Sequence, residues 1–162
     1  MAEGGTGTGQ RARDARRSKP RRQYAALPFR LVADGRIEVL ILTSRETGRW
    51  IVPKGWAKKG QAGHAVARRE AREEAGLIGR VHKRPFGRYR YTKRLAGTET
   101  ALCIVDVYAL EVERQLDAWP EKGERATCWL SPDEAVDRVD DPGLGNLLRR
   151  AALLLHRRPL QR

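Results

Sequence analysis

Three glutamates, Glu70, Glu73 and Glu74, stand three and four residues apart within the stretch 55–77, GWAKKGQAGHAVARREAREEAGL. On a helix those offsets bring side chains to one face. Carboxylates gathered so closely repel each other, so something positive must neutralise them. Arg68, Arg69 and Arg72 can do so, which would make the segment an ordinary solvated face of Arg–Glu pairs. A divalent cation can do so too, because Mg²⁺ takes hard oxygen ligands from carboxylates, water and phosphate. Spacing alone leaves both readings open.

The elements that must position this trio are legible in the surrounding pattern. Residues 62–75 predict a helix, with Gly76 as a left-handed C-terminal cap and Leu77 as the apolar contact that follows it. Strands are expected over 24–32, 37–43, 50–52, 79–83, 86–93, 101–113 and 126–130. Asp34-Gly35 signals a hairpin turn between the first two. Pro53 should stop the third strand, leaving 55–60 as a loop that carries Trp56, with Lys54, Lys58 and Lys59 nearby. Ser131-Pro132 opens a short helix to about residue 139, with Ser131 as N-cap and Pro132 in the first turn. A last helix over 144–157 puts Leu147, Leu148, Ala151, Leu154 and Leu155 on one face. Strands, one central helix, more strands and then helices describe an α+β domain, a sheet with helices packed on it, and not a βαβ series.

The chain has 162 residues and a net charge of +13. That length suits one domain, expected over 21–158, behind a Gly/Thr- and Arg-rich tail, 1–20, with little to bury and an expectation of disorder. The first 22 residues hold seven basic and two acidic side chains, so the remainder alone carries +8. A basic folded part implies an anionic partner. No apolar run approaches the length of a membrane span and no apolar stretch opens the chain as a secretory signal, so no membrane partner is expected. Cys103 and Cys128 stand alone, which argues against a zinc site or a redox dithiol. A reducing cytoplasm is the expected location. His64 and His82 have no Ser or Cys partner at a telling spacing and read as surface residues.

The stretch 55–77 resembles the signature of the Nudix hydrolase family, G-x5-E-x7-R-E-U-x-E-E-x-G-U, with U a bulky aliphatic residue. Gly55 fills the first position, Arg69 and Glu70 the R-E, Ala71 the U, Glu73 and Glu74 the E-E, Gly76 the second G and Leu77 the last U. Two positions depart. Ala71 is small for a U, which should only lighten packing. Gln61 replaces the Glu that in the family is thought to hold the signature Arg; it keeps an acceptor for Arg69 and loses the charge. The resemblance implies a Nudix fold, a mixed β-sheet sandwiched between helices. It implies Mg²⁺, with Mn²⁺ as a substitute, bound by Glu70 and Glu74 with help from the Gly55 carbonyl. It implies Glu73 as the group that activates water, with Glu70 the other candidate, and Arg69 as the residue that orients the glutamates.

Beyond the signature, Trp50-Ile51-Val52-Pro53 and the segment 119–129, WPEKGERATCW, are similar to the branch that hydrolyses diphosphoinositol polyphosphates and diadenosine polyphosphates. Its basic substrate contacts fall by position on Arg21, Arg22, Ser44, Arg45, Lys93, Arg94 and Arg125, and Lys54 lies beside the signature. The residues at 89–94, Tyr-Arg-Tyr-Thr-Lys-Arg, agree in type, since guanidinium forks bind phosphate oxygens in pairs. They also fit a half-buried strand with arginines in water, or stacking of single-stranded nucleic acid. Trp56 can stack on a base or cap its loop, whereas Trp50, Trp119 and Trp129 suit packing. The expected activity is Mg²⁺-dependent cleavage of a phosphoanhydride bond in a small, phosphate-rich anionic substrate. A pyrophosphohydrolase acting on RNA 5′ ends, and a Nudix-fold binding module weakened by Gln61, are the alternatives.

Overall fold

The computed structural model describes residues 19–155. The tail expected over 1–20 and the end of the last helix expected to reach 157 fall largely outside those residues, as does His156.

Strands β1 (Arg21–Leu31), β2 (Ile37–Thr43), β3 (Trp50–Ile51) and β4 (Lys54–Trp56) precede helix α1 (Gly63–Ala75). Strands β5 (Leu77–Val81), β6 (Gly87–Arg94), β7 (Thr100–Gln115) and β8 (Thr127–Leu130) follow, and helices α2 (Pro132–Arg138) and α3 (Pro142–Leu154) complete the fold. The sheet runs β3-β2-β1-β7-β5, with β4 on β1, β6 on β7 and β8 on β2. Among the described residues only β1 and β7 pair in parallel, from Arg21↔Cys103 to Phe29↔Glu111, while the other pairs are antiparallel. These two long strands form the spine. The first half of β7 holds β6 and the second half holds β5.

Both faces of the spine are covered, which explains its near-continuous apolar runs. On one face Leu27, Phe29, Val39, Ile41, Val105 and Val107 pack against Leu144, Leu147, Leu148 and Ala151 of α3. On the other, Ala26, Leu40, Leu42, Tyr108 and Leu110 pack against Ala67, Ala71 and Ala75 of α1. The expected sheet between helices is therefore present. Ala71 belongs to a fully buried alanine stripe that lets α1 lie close to the sheet. Among the described residues no helix is long and apolar enough to cross a membrane.

Local signals explain the element ends. Gly35 takes φ 81° in the β1–β2 turn, where the Val32 N–H reaches the Arg36 carbonyl at 2.9 Å. Gly76 ends α1 at φ 67°, and its N–H returns to the Arg72 carbonyl at 2.9 Å. The Ser131 hydroxyl accepts the Glu134 N–H at 3.2 Å and donates to the Glu134 carboxylate at 2.9 Å. Three expectations need correction. The strand placed at 79–83 begins at Leu77, directly after the cap, because Leu77 and Ile78 already pair with Gln115 and Arg114. Pro53 ends β3, but the chain resumes pairing at once as β4, held by the Ala26 N–H on the Pro53 carbonyl at 2.9 Å. His64 and His82 are half-buried, and His64 lies edge-on to the Tyr108 ring at 6.3 Å.

Candidate active site

The carboxylate face of α1 opens into a cleft of about 390 Å³. Helix α1 supplies Glu70, Glu73 and Glu74; β4 and the residues after it supply Lys54, Gly55, Trp56 and Lys58. The segment after β2 adds Ser44 and Arg45, β6 adds Lys93, and the segment before β8 adds Glu121 and Arg125. A second lobe of about 530 Å³ shares Ser44, Lys54 and Lys93 with the first and adds Tyr91, Arg94 and Asp141. Acids and cations therefore line the same cleft, and shared residues join its two lobes.

Glu74 is the deepest acid, at 4% exposure. Its Oε2 accepts the Lys54 main-chain N–H at 3.3 Å and its Oε1 lies 3.2 Å from Arg125 Nη2. Burial pushes its carboxyl up to about 8, with Glu70 and Glu121 adding to the rise and the Arg125 guanidinium opposing it. Burial, then the charge on Glu73, also raises Glu70, against Arg69. Lys54 is lowered by burial. Its Nζ sits 5.1 Å from the Tyr91 ring centroid, and the Tyr91 hydroxyl donates to Gln23 Oε1 at 2.6 Å.

Gly55 has a steric role. A Cβ there would stand 2.4 Å from Glu70 Oε1, so only glycine lets that carboxylate lie against the strand. Arg69 Nη1 donates to Gln61 Oε1 at 2.7 Å, the contact expected of the Gln61 replacement. Arg69 also lies 3.6 Å from Glu70 and 3.9 Å from Glu73. Its Nε and Nη2 are buried without a hydrogen-bond partner among the described residues.

The expected basic contacts divide into groups. Lys54, Ser44, Arg45 and Lys93 line the first lobe, and Arg94 lines the second. Lys93 Nζ is 5.4 Å from the Trp56 ring centroid and 3.5 Å from Glu46. Arg45 lies 3.2 Å from Glu121. Arg125 is in the cleft but almost wholly buried, braced by Glu74, Glu121 and the Thr43 carbonyl at 3.1 Å. It positions carboxylates and offers substrate little surface. Arg22 is not brought to the cleft. Strand alternation turns Gln23 to the cleft and Arg22 to the opposite face, where Arg22 lies 3.3 Å from Asp106. Arg21 does not line the cleft either.

Glu121 and Gln23 escaped the sequence analysis. Glu121 precedes Arg125 by four residues, a spacing that hints at an ion pair, yet it reaches the site because its N–H bonds to the Glu73 carbonyl at 3.1 Å. Gln23 gave no signal, since the strand pairing that places it joins distant parts of the chain.

As oriented, no three acidic, thiol or imidazole side chains among the described residues form a metal-binding group. Glu74 is turned to Arg125, and Glu70 and Glu73 to Arg69. The donor set nevertheless suits a hard divalent cation. Five glutamates line the cleft, Glu70, Glu73 and Glu74 from one helix, and the burial cost on Glu74 is left incompletely offset by Arg125.

A family model described as NUDIX domain matches residues 21–151. Nudix hydrolase 18, mitochondrial, of Arabidopsis thaliana is 32% identical over 150 residues, covering 86% of this chain and 83% of that protein. Nudix hydrolase 13, mitochondrial, of the same plant is 29% identical over 127 residues, and there the chain spans 63% of the relative's length and 68% of its own. A crystal structure of a C. elegans Ap4A hydrolase binary complex is similar with a TM-score of 0.63 at 22% identity, covering 83% of this chain and 97% of that one. That last likeness concerns the fold. With the family match spanning most of a chain whose acidic helix face opens on a charged groove, the protein belongs to the Nudix hydrolase family.

Proposed function

We propose that this protein hydrolyses a phosphoanhydride bond in a phosphate-rich small molecule, of the dinucleoside polyphosphate or diphosphoinositol polyphosphate class, with Mg²⁺ or Mn²⁺ as cofactor. The observation that carries this is a single cleft lined both by the α1 carboxylates and by Arg45, Lys54, Lys58 and Lys93. A string of phosphates needs both: cations for its spectator oxygens, and acids for a metal and for water. The C. elegans neighbour, named an Ap4A hydrolase, favours the first substrate class.

In this proposal Glu70 and Glu74, with the Gly55 carbonyl, hold the cation. When bound, the cation neutralises phosphate charge and makes water easier to deprotonate. Glu73 is the most exposed of the three helical acids, with a side chain 42% exposed, and it accepts the proton of the attacking water. The water oxygen bonds to phosphorus as the bridging P–O bond breaks, and the departing phosphate carries away the electron pair. Arg69, fixed by Gln61, orients Glu70 and Glu73. Ser44, Arg45, Lys93 and Arg94 hold the remaining phosphates, which places the reacting one. Trp56, 39% exposed at the rim beneath Lys93, offers a face to a base. Arg21 and Arg22 are left out of this set.

The second lobe favours RNA 5′ ends as the other substrate class, because it carries Arg49 and Arg94 beyond the α1 carboxylates. A panel tests both readings: diadenosine tetraphosphate, a diphosphoinositol polyphosphate, nucleoside triphosphates and 5′-triphosphorylated RNA, each with Mg²⁺ and with EDTA. Metal-dependent turnover of either of the first two is expected. Preference for the RNA would move the substrate class, and no turnover of any member would contradict hydrolysis.

A further inference from the structure

A second basic cleft, of about 570 Å³, lies where the β5–β6 connection meets the end of α3. Lys93 and Arg94, at the catalytic groove, close β6, and Gly87 opens it, with Phe86 just before. At roughly 3.3 Å per residue the two sites are therefore about 23 Å apart along that strand. The lining here differs from that of the catalytic groove. It holds Arg80, Lys83, Arg84 and Arg150 and not one carboxylate. Arg80 has a neighbour in Glu111, at 3.6 Å. Lys83 and Arg84 are exposed and make no ion pair among the described residues.

Arg150 is set in place. Its Nη2 donates to the Phe86 carbonyl at 3.3 Å, and its guanidinium lies 5.1 Å from the Phe86 ring centroid. A Cβ at residue 87 would stand 3.1 Å from Arg150 Nη1 and 2.3 Å from Leu147 Cδ2, so Gly87 lets the guanidinium settle there. The floor is apolar, with Val81 and Ala109 among its residues. A fixed guanidinium plane over an apolar floor stacks flat aromatic rings, and unpaired cations at the rim hold phosphate.

We propose that this cleft is a second binding site for a nucleotide unit, a phosphate joined to an aromatic base, separate from the hydrolytic groove. The base lies against Arg150 and the apolar floor, and Lys83 and Arg84 take the phosphate. The unit is supplied by a free nucleotide or by a single strand of RNA. The proposal stands whatever the hydrolytic groove cleaves.

Binding of a labelled short oligoadenylate to the full chain, in EDTA, tests it by fluorescence anisotropy, with unlabelled oligoadenylate and AMP as competitors. The double variant Lys83→Glu/Arg84→Glu is expected to weaken binding by about tenfold or more, and the charge-matched Arg68→Glu/Arg72→Glu by less than about threefold. Arg150→Gln, which keeps a polar head and removes the charge and the guanidinium plane, is expected to weaken it too. Turnover of a small polyphosphate substrate should be unchanged in Lys83→Glu/Arg84→Glu, which also shows that the variant is folded. Displacement by AMP identifies the free nucleotide as the source, and displacement by the oligomer alone identifies the strand. Equal weakening by the two doubles, or no binding by the wild type, overturns the proposal.

Discussion

Carboxylates resist burial because ionisation in a poorly solvated site forfeits hydration. Glu74 shows the effect, with its carboxyl pushed up to about 8. The folded state then binds a proton that the unfolded state has already released. Between the ordinary carboxylate value of about 4.5 and 8, stability is present at the acidic end and lost as pH rises. Thermal melts in EDTA should therefore show a Tm that falls from pH 5 to pH 8. Glu74→Gln should flatten that slope, and an unchanged slope would assign the titration elsewhere. Gln61 is the opposite case, an exposed neutral partner to Arg69. Gln61→Glu should add on the order of 0.5 kcal/mol in denaturant melts, since an exposed ion pair is worth little more. A loss of stability would mean that Glu70 and Glu73 already supply all the negative charge Arg69 tolerates. The glutamate trio stood out in the sequence because one helix carries it at fixed spacing, whereas Gly55 and Arg69 came with the resemblance to the family signature. Glu121 and Gln23 were not, because main-chain bonds between distant segments deliver them.

At the scale of elements, the site is a junction between β4 and α1. The chain turns there so tightly that Glu70 packs onto Gly55. Gly55→Ala puts a methyl group 2.4 Å from Glu70 Oε1, so Glu70 or β4 must move. Since a displacement of about an ångström costs up to about a hundredfold in rate, kcat should drop between about tenfold and a hundredfold with Tm little changed. A kcat equal to wild type would show that Glu70's position is not critical. Helix ends could be read in advance because Gly76 and Ser131 act through their own backbone and side-chain geometry. Strand β4 could not, since proline marks a break in pairing without telling whether pairing resumes. The parallel β1–β7 pair was also invisible, because apolar runs show that a strand is buried and not which strand lies beside it.

For the molecule as a whole, the described residues that line the groove run from Gln23 to Asp141, within a sheet closed on both faces by helices. Removal of residues 1–18 should therefore leave kcat/KM for a small polyphosphate substrate unchanged, and a large loss would make the tail part of the site. The sandwich architecture was legible because two-sided burial writes unbroken apolar strands and one-sided helices into the sequence. Arg22, expected at the substrate, lies away from the cleft. Its position matched, but strand alternation turns it to the far face and Asp106 holds it there. In the proposed function the α1 carboxylates carry metal-dependent phosphoanhydride cleavage. Its most direct test is a Mg²⁺ titration of diadenosine tetraphosphate hydrolysis by the wild type and by Glu74→Gln, beside circular dichroism of both. Saturable, Mg²⁺-dependent turnover is expected in the wild type and none above background in a folded Glu74→Gln. Wild-type turnover from the variant, or turnover that ignores Mg²⁺, would contradict it.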